Sequence, residues 1–238
     1  MESLKGKVVL LTGATGGIGA KTTALLASAG ANVFITGRNQ AALHSVAQLA
    51  GIPFERCLLM DITKEAEVAA AVSNVVQQAG TIDILVNAAG IGIIRTMDQL
   101  SSDDFLQTVQ TNLIGPFYLV KAVLPIMKEK KKGLIIQIPG VLGKVPMAGA
   151  AAYSASKYGL TGMMQSIREE IKRTDIRITQ LFLGGVDSAF WDTIDLRVQR
   201  DKMIVAEEAA RAIWFLCQQP SSGVVSEMVL QPFNHQAI

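Results

Sequence analysis

The 238-residue chain has few of the residues from which metal and thiol sites are built. Its two cysteines, Cys57 and Cys217, stand far apart with no CxxC pair, so two buried, reduced thiols are expected rather than a disulfide framework or a thiolate metal centre. His44 and His235 are equally isolated, with no third ligand near either, and no catalytic or metal role is expected of them. Excess charge is also missing. The 22 Lys and Arg residues against 20 Asp and Glu leave a net charge of +2, too little to steer the chain toward nucleic acid or an anionic membrane. A small-molecule partner is expected instead. No apolar run reaches the ~18 residues of a membrane-spanning helix, and the stretch ahead of the first strand-like run is too short for a signal peptide. A soluble, cytoplasmic protein is therefore expected. The one basic run, Lys128, Lys130, Lys131 and Lys132, reads as a solvated helix end, where cations suit the negative pole of the helix dipole.

What is present is hydrophobic material in a regular order. Half of the residues are hydrophobic, enough for a sizeable core. Short Val/Ile/Leu-rich runs at 7–12, 32–36, 56–60, 82–86, 134–138 and 176–183 alternate with helix-spaced stretches. These runs are apolar throughout, as strands covered on both faces must be. The expectation is one α/β domain over 1–238, a Rossmann-type doubly wound parallel sheet with helices on both faces. Ser101-Ser102-Asp103-Asp104 reads as a helix start, and Gly133 as the stop after the lysine run. The segment 186–204 has no clear period and is a candidate substrate lid, the alternative being a surface helix of poor amphipathicity.

The sharpest local signal is Thr12-Gly13-Ala14-Thr15-Gly16-Gly17-Ile18-Gly19, directly after the first strand-like run and opening a helix. Glycines there permit a tight turn and a close approach of backbone to pyrophosphate, and the helix N-terminus offers free amides. Gly13, Gly17 and Gly19 form the expected cradle, with Thr15 and Ile18 beside it. At the end of the second strand, where an acid would favour the free ribose 2′-hydroxyl of NAD, the chain reads Thr36-Gly37-Arg38-Asn39. Arg38 carries a planar fork of donors suited to a 2′-phosphate, so NADP(H) is the expected cofactor. The alternative is that Arg38 stacks over the adenine or points into solvent.

Several motifs together resemble the YxxxK branch of the short-chain dehydrogenase/reductase superfamily. The TGxxxGxG loop is matched by Thr12 to Gly19, and the family's NNAG motif by Asn87-Ala88-Ala89-Gly90, with Ala88 in place of the second Asn. Asp61 matches the family's adenine-contacting acid, and Asn112 its helix asparagine. Tyr153-Ser154-Ala155-Ser156-Lys157 matches the signature itself. On a helix, Tyr153 and Lys157 at i,i+4 share one face, and an ammonium beside the phenol is expected to lower the tyrosine pKa. Tyr153 is then expected to act as general acid in carbonyl reduction and as base in alcohol oxidation. The resemblance further implies that Lys157 holds the nicotinamide ribose and that Asn112 helps keep a water in the proton relay. It also implies that Val186 and Ser188 lie against the cofactor, and that the chain forms a homo-oligomer, dimer or tetramer, through helices expected at 103–128 and 153–172.

Two departures stand out. The family's substrate-binding serine lies thirteen residues before the tyrosine, and that count arrives at Gly140, preceded by Pro139. Neither residue offers a hydroxyl. After the sixth strand, Leu183 replaces a usual proline, and a less stiff loop is expected there. The leading expectation is an NADP(H)-dependent oxidoreductase acting on a carbonyl or secondary alcohol. A cofactor-binding protein without dehydrogenase activity and a reductase of polarised C=C bonds stay open beside it.

Overall fold

The computed structural model describes residues 1–194 and 196–234; Asp195 and His235 lie outside the described residues. The elements follow in the order β1 (Val8–Thr12), α1 (Gly17–Ser28), β2 (Asn32–Gly37), α2 (Gln40–Ala50), β3 (Cys57–Leu59), α3 (Glu65–Ala79), β4 (Ile84–Asn87), α4 (Ser102–Val109), α5 (Gly115–Lys130), β5 (Lys132–Gln137), α6 (Ala151–Ile171), β6 (Asp175–Leu183), β7 (Val186–Asp187), β8 (Ile204–Val205), α7 (Ala206–Cys217) and β9 (Glu227–Leu230). Seven strands form one parallel sheet in the order β3-β2-β1-β4-β5-β6-β9, and β7 and β8 make a separate two-stranded parallel ribbon. The fold is Rossmann-type. The strand order reverses between β1 and β4, which is where ligands bind in such sheets, outside the carboxyl ends of the strands.

Alternation along β1 explains the two-sided core. Val9 and Leu11 pack into the cluster that holds residues of α1, α2 and α7. Val8 and Leu10 enter the opposite cluster, with residues of α3, α5 and α6. Both cysteines are buried free thiols.

The ends of the helices follow local chemistry. Asn39 caps α2 by accepting from the Ala42 amide at 3.0 Å, and Ser101 caps α4 by accepting from the Asp104 amide at 3.0 Å. The helix expected at 103–128 is not continuous. A π-helical turn at Gln110–Ile114 separates α4 from α5 and turns the Asn112 side chain into the interior. Gly133 is not the stop of α5. That helix ends on Lys131, which adopts φ 57°, and Gly133 lies within β5 paired with Ile176. Its missing side chain leaves room for Met127, whose Cβ would stand 3.0 Å from a β-carbon there.

A polar row crosses the sheet, at or beside the carboxyl ends of β2, β1, β4 and β5, further inside β6 and at the start of β9: Thr36, Thr12, Asn87, Gln137, Gln180 and Glu227 are successive partners in register. The Thr12 hydroxyl donates to Asn87 Oδ1 at 2.6 Å, and Asn87 Nδ2 donates to Gln137 Oε1 at 2.8 Å. In a buried setting such bonds fix the strands against one another directly beneath the cleft described next. Leu183, where the loop is expected to begin, lies within the strand. It belongs to β6 opposite Leu230, and the following Gly184 amide donates to the Leu230 carbonyl at 2.8 Å. Leucine keeps the amide that proline lacks, so nothing prevents the strand from running on.

Candidate active site

At the end of β1 the chain turns through Gly13, which adopts φ +71°. A β-carbon at Gly13 would fall 2.7 Å from the Ala89 amide nitrogen, and one at Gly19 would fall 2.8 Å from Ala14 Cα. Glycine is therefore required at both positions, by backbone conformation at the first and by close packing at both. The first turn of α1 carries no acidic side chain and no side-chain cap, leaving its amides free for an anion. Gly17 lies against Ser188, whose Cβ would be 3.0 Å from a β-carbon at Gly17.

A cleft of about 920 Å³ opens here. Its walls include Gly13, Gly17, Ile18, Gly19, Gly90, Gly140, Tyr153, Lys157, Val186 and Ser188. The structure thus brings the glycine loop and the tyrosine–lysine pair to one cavity. Thr15, Arg38, Asp61, Asn87 and Asn112 are not among its walls. Thr15 and Arg38 are exposed. A side chain at Gly37 would stand between Thr15 and Leu43, with its β-carbon 3.4 Å from Thr15 Cγ2 and 3.3 Å from Leu43 Cδ2. Partial burial would raise the Asp61 pKa, yet bonds from the Thr63 amide and hydroxyl, with the charges of Arg38 and Lys64, hold it below the usual carboxylate value. Arg38 and Asp61 therefore share one neighbourhood. The Asn87 side chain is spent on the sheet, as described above.

Asn112 is fully buried, and its amide group is hydrogen-bonded at both ends. Its Oδ1 accepts from the Ile91 amide at 2.9 Å, while Nδ2 donates to the Ile91 carbonyl at 2.9 Å and to the Ser156 hydroxyl at 3.2 Å. It pins the loop after β4 to α6. A β-carbon at Gly90 would lie 3.2 Å from Asn112 Oδ1 and 3.5 Å from Lys157 Nζ, so Asn112 stands directly behind the part of the cleft that Gly90 and Lys157 line.

Tyr153 and Lys157 project from the same face of α6, with Lys157 Nζ 5.4 Å from the centre of the tyrosine ring. Their electrostatics overturn the expected lowering of the phenol pKa. Burial pushes Tyr153 up to about 12 and pushes Lys157 down to about 8. At 5.4 Å from the ring centre, the ammonium offsets too little of the cost of desolvating a phenolate. At neutral pH the pair is a neutral phenol beside an ammonium. Lys157 donates to the Ile138 carbonyl at 3.2 Å, and the Tyr153 hydroxyl has no hydrogen-bond partner among the described residues. That hydroxyl is free to donate to a bound oxygen.

Gly140 is special for its backbone rather than its lack of a hydroxyl alone. It sits at φ 71°, ψ 168°, a region that is essentially restricted to glycine.

Between β7 and β8 the described residues form short 3-10 turns at Ala189–Thr193 and Arg200–Lys202, and several of them line the cleft. The Phe190 ring meets Tyr153 at 6.1 Å and Trp191 at 5.5 Å, centre to centre, and the Trp191 indole donates to the Val186 carbonyl at 3.0 Å. Arg200, to which the sequence reading gave no role, clamps this segment. Its guanidinium donates to Asp187 at 2.5 Å, to Asp192 at 2.6 Å and to the Ser188 carbonyl at 3.0 Å. Both acids lie within thirteen residues of it, but an aperiodic stretch gives no face on which to pair them.

A model of the short chain dehydrogenase family matches residues 7–198. An uncharacterized oxidoreductase of Staphylococcus saprophyticus is 32% identical, over 98% of both chains. Among solved structures, a metagenomic short-chain oxidoreductase in complex with NADP is 29% identical, with a TM-score of 0.84 over 98% of this chain and 100% of the other. The closed form of a serine dehydrogenase complexed with NADP+ is 26% identical, with a TM-score of 0.88 over 96% of each chain.

Proposed function

This chain belongs to the short chain dehydrogenase family, and on that footing we propose that it is an NADP(H)-dependent oxidoreductase that reduces a carbonyl or oxidises the matching secondary alcohol. The observation that carries this reading is the convergence of the glycine loop with Tyr153 and Lys157 in one cleft. The residues fit a dinucleotide. Gly13 and Gly19 leave no room for side chains where the backbone turns, and the free amides of α1 suit a pyrophosphate. When bound, the cofactor supplies or takes up the hydride. The chain then has the proton to manage. Tyr153 donates its phenolic proton to the developing alkoxide, and Lys157 keeps positive charge beside it. Asn112 fixes the loop through Gly90 that forms the floor, Val186 and Ser188 close the cofactor's side, and segment 186–204 serves as lid. Consumption of NADPH with panels of aldehydes, ketones and enones, alongside direct NADPH binding, tests the proposal. Binding without consumption of any kind would leave a cofactor-binding protein in its place.

Preference for NADPH is assigned to Arg38, supported by the absence of an acid at Gly37 and by the two NADP-bound relatives. Hydrogen bonds to charged groups contribute ~1.5–3 kcal/mol. Arg38→Ala is accordingly expected to weaken NADPH binding by about 10- to 100-fold and leave NADH binding unchanged, as read by titrating both. Equal loss for the two cofactors would remove Arg38 from this role.

The pH dependence follows from the two shifted groups. Tyr153 keeps its proton up to about 12 and imposes no limit on reduction near neutrality. Lys157, a base whose pKa is lowered to about 8, loses its charge as pH rises through that value. Carbonyl reduction at saturating NADPH is thus expected to be level below about pH 7 and to fall by about pH 9. A rate that climbs across this interval would show that the ammonium is not needed.

A homo-oligomer is proposed through α4, α5 and α6, which expose Leu106, Phe117 and Tyr158 at 62%, 42% and 44%. Light scattering at micromolar concentration is expected to give a multiple of the 25.4 kDa chain, and Leu106→Glu with Tyr158→Glu to give the monomer.

A further inference from the structure

The described walls of the cleft carry three cations, Lys157, Arg197 and Lys202, and no Asp or Glu. Lys157 is buried beside Tyr153 and belongs to the mechanism. Arg197 and Lys202 lie on the lid and are exposed, and their side chains have no ion-pair or hydrogen-bond partner among the described residues. Their neighbour Arg200 behaves differently: it is spent on Asp187, Asp192 and the Ser188 carbonyl. Among the described residues, the lid thus divides its cations into one that holds the lid together and two that line the cavity with no counter-charge beside them. Around them the wall is apolar, through Ile94, Leu142, Met147, Phe190, Leu196 and Val198. Unpaired cations at the edge of an apolar cavity favour a ligand with an apolar body and an anionic group, since that group supplies the missing charge.

Resting on the oxidoreductase reading, we infer that the substrate of this cleft carries a carboxylate or phosphate in addition to its carbonyl, held by Arg197 and Lys202 at the lid. The phosphates of the cofactor are the other source of such an anion. The Gly13–Gly19 turn and the uncapped α1 N-terminus already provide for a pyrophosphate. The two cations are carried instead by the segment whose Phe190 ring packs on Tyr153.

Decanoate and decanamide, of equal length and different charge, are the probes. Titrated against the protein with and without saturating NADP+, decanoate is expected to bind about tenfold more tightly. In the double variant Arg197→Gln, Lys202→Gln this ratio is expected to fall to about one, with amide binding and NADPH affinity unchanged. A ratio near one in the unaltered protein overturns the inference, as does a ratio that survives the double variant. A matching loss of NADPH affinity assigns both cations to the cofactor and overturns it too. Because binding is read without turnover, failure of the oxidoreductase reading would show separately, as no NADPH consumption with a medium-chain oxo-acid or its methyl ester. Where turnover is seen, the oxo-acid is expected to exceed its ester about tenfold in kcat/KM, and the double variant to equalise them.

Discussion

Tyr153→Phe is expected to lower NADPH-linked carbonyl reduction by ~10²–10⁴, the range by which a positioned general acid contributes, with NADPH affinity and thermal stability unchanged. The substitution is unusually clean at this position. The Tyr153 hydroxyl has no hydrogen-bond partner among the described residues, so its removal orphans no buried group, and the ring keeps its contact with Phe190 at 6.1 Å. With a folded-state pKa near 12 the hydroxyl is protonated at every working pH, and below about pH 7, where Lys157 keeps its charge, no ionisation of the pair masks its loss. The measurement is kcat at saturating NADPH, with cofactor binding by fluorescence and a melting curve as controls. Retention of full activity would mean that the proton comes from elsewhere, and Tyr153 would lose its role. A loss of activity matched by a loss of cofactor binding would point instead to a damaged cleft. Lys157→Met differs in kind, because it also removes the bond to the Ile138 carbonyl and is expected to weaken both turnover and cofactor binding.

The parts of this site that could be read in advance are those fixed by short-range geometry. The Gly13–Gly19 turn was legible because a positive φ and a helix packed on a loop each demand glycine, whatever lies elsewhere in the chain. Tyr153 and Lys157 were legible because a helix places i and i+4 together. What escaped depends on partners far apart in sequence. Strand β9 is four residues long, only partly buried and at the edge of the sheet, so it lacks the continuous apolar run that marked the inner strands. The polar row from Thr36 to Glu227 left a visible trace, a polar residue near the carboxyl end of several apolar runs, but only strand register lines those residues up. The sign of the Tyr153 shift is hidden from the sequence for a related reason. Proximity of an ammonium follows from spacing, whereas the depth at which α6 buries both groups follows from the packing of the whole molecule.

Gly140→Ser, the simplest way to return a hydroxyl to the cleft, is expected to fail, while Pro139→Ser combined with Gly140→Ser is expected to raise the reduction of simple ketones by ~10- to 10³-fold. Space is not the obstacle. A β-carbon at Gly140 would meet only the Leu183 carbonyl, at 3.4 Å. The obstacle is the backbone, since φ 71° with ψ 168° strains any L side chain by ~1–3 kcal/mol and aims its Cβ where a serine in extended conformation would not. Pro139 helps hold that conformation. It is buried, with its ring 3.0 Å from where a β-carbon on Gly143 would be, and the Gly143 amide donates to the Gly140 carbonyl at 3.0 Å. Serine at 139 frees φ there and returns an amide, so residue 140 can relax to negative φ and present its hydroxyl to the oxygen that Tyr153 protonates. The upper end of the expected gain is what a restored oxyanion donor contributes, ~3–4 kcal/mol. The single variant should melt earlier and gain nothing, and the double variant should gain activity at a melting temperature no lower than that of the single variant. Equal gains in the two would show that Gly140 is not conformationally locked. If the double variant folds, binds NADPH and still reduces ketones no faster, the place of the serine is filled by a donor on the true substrate, and the Pro139–Gly140 turn exists to make room for it.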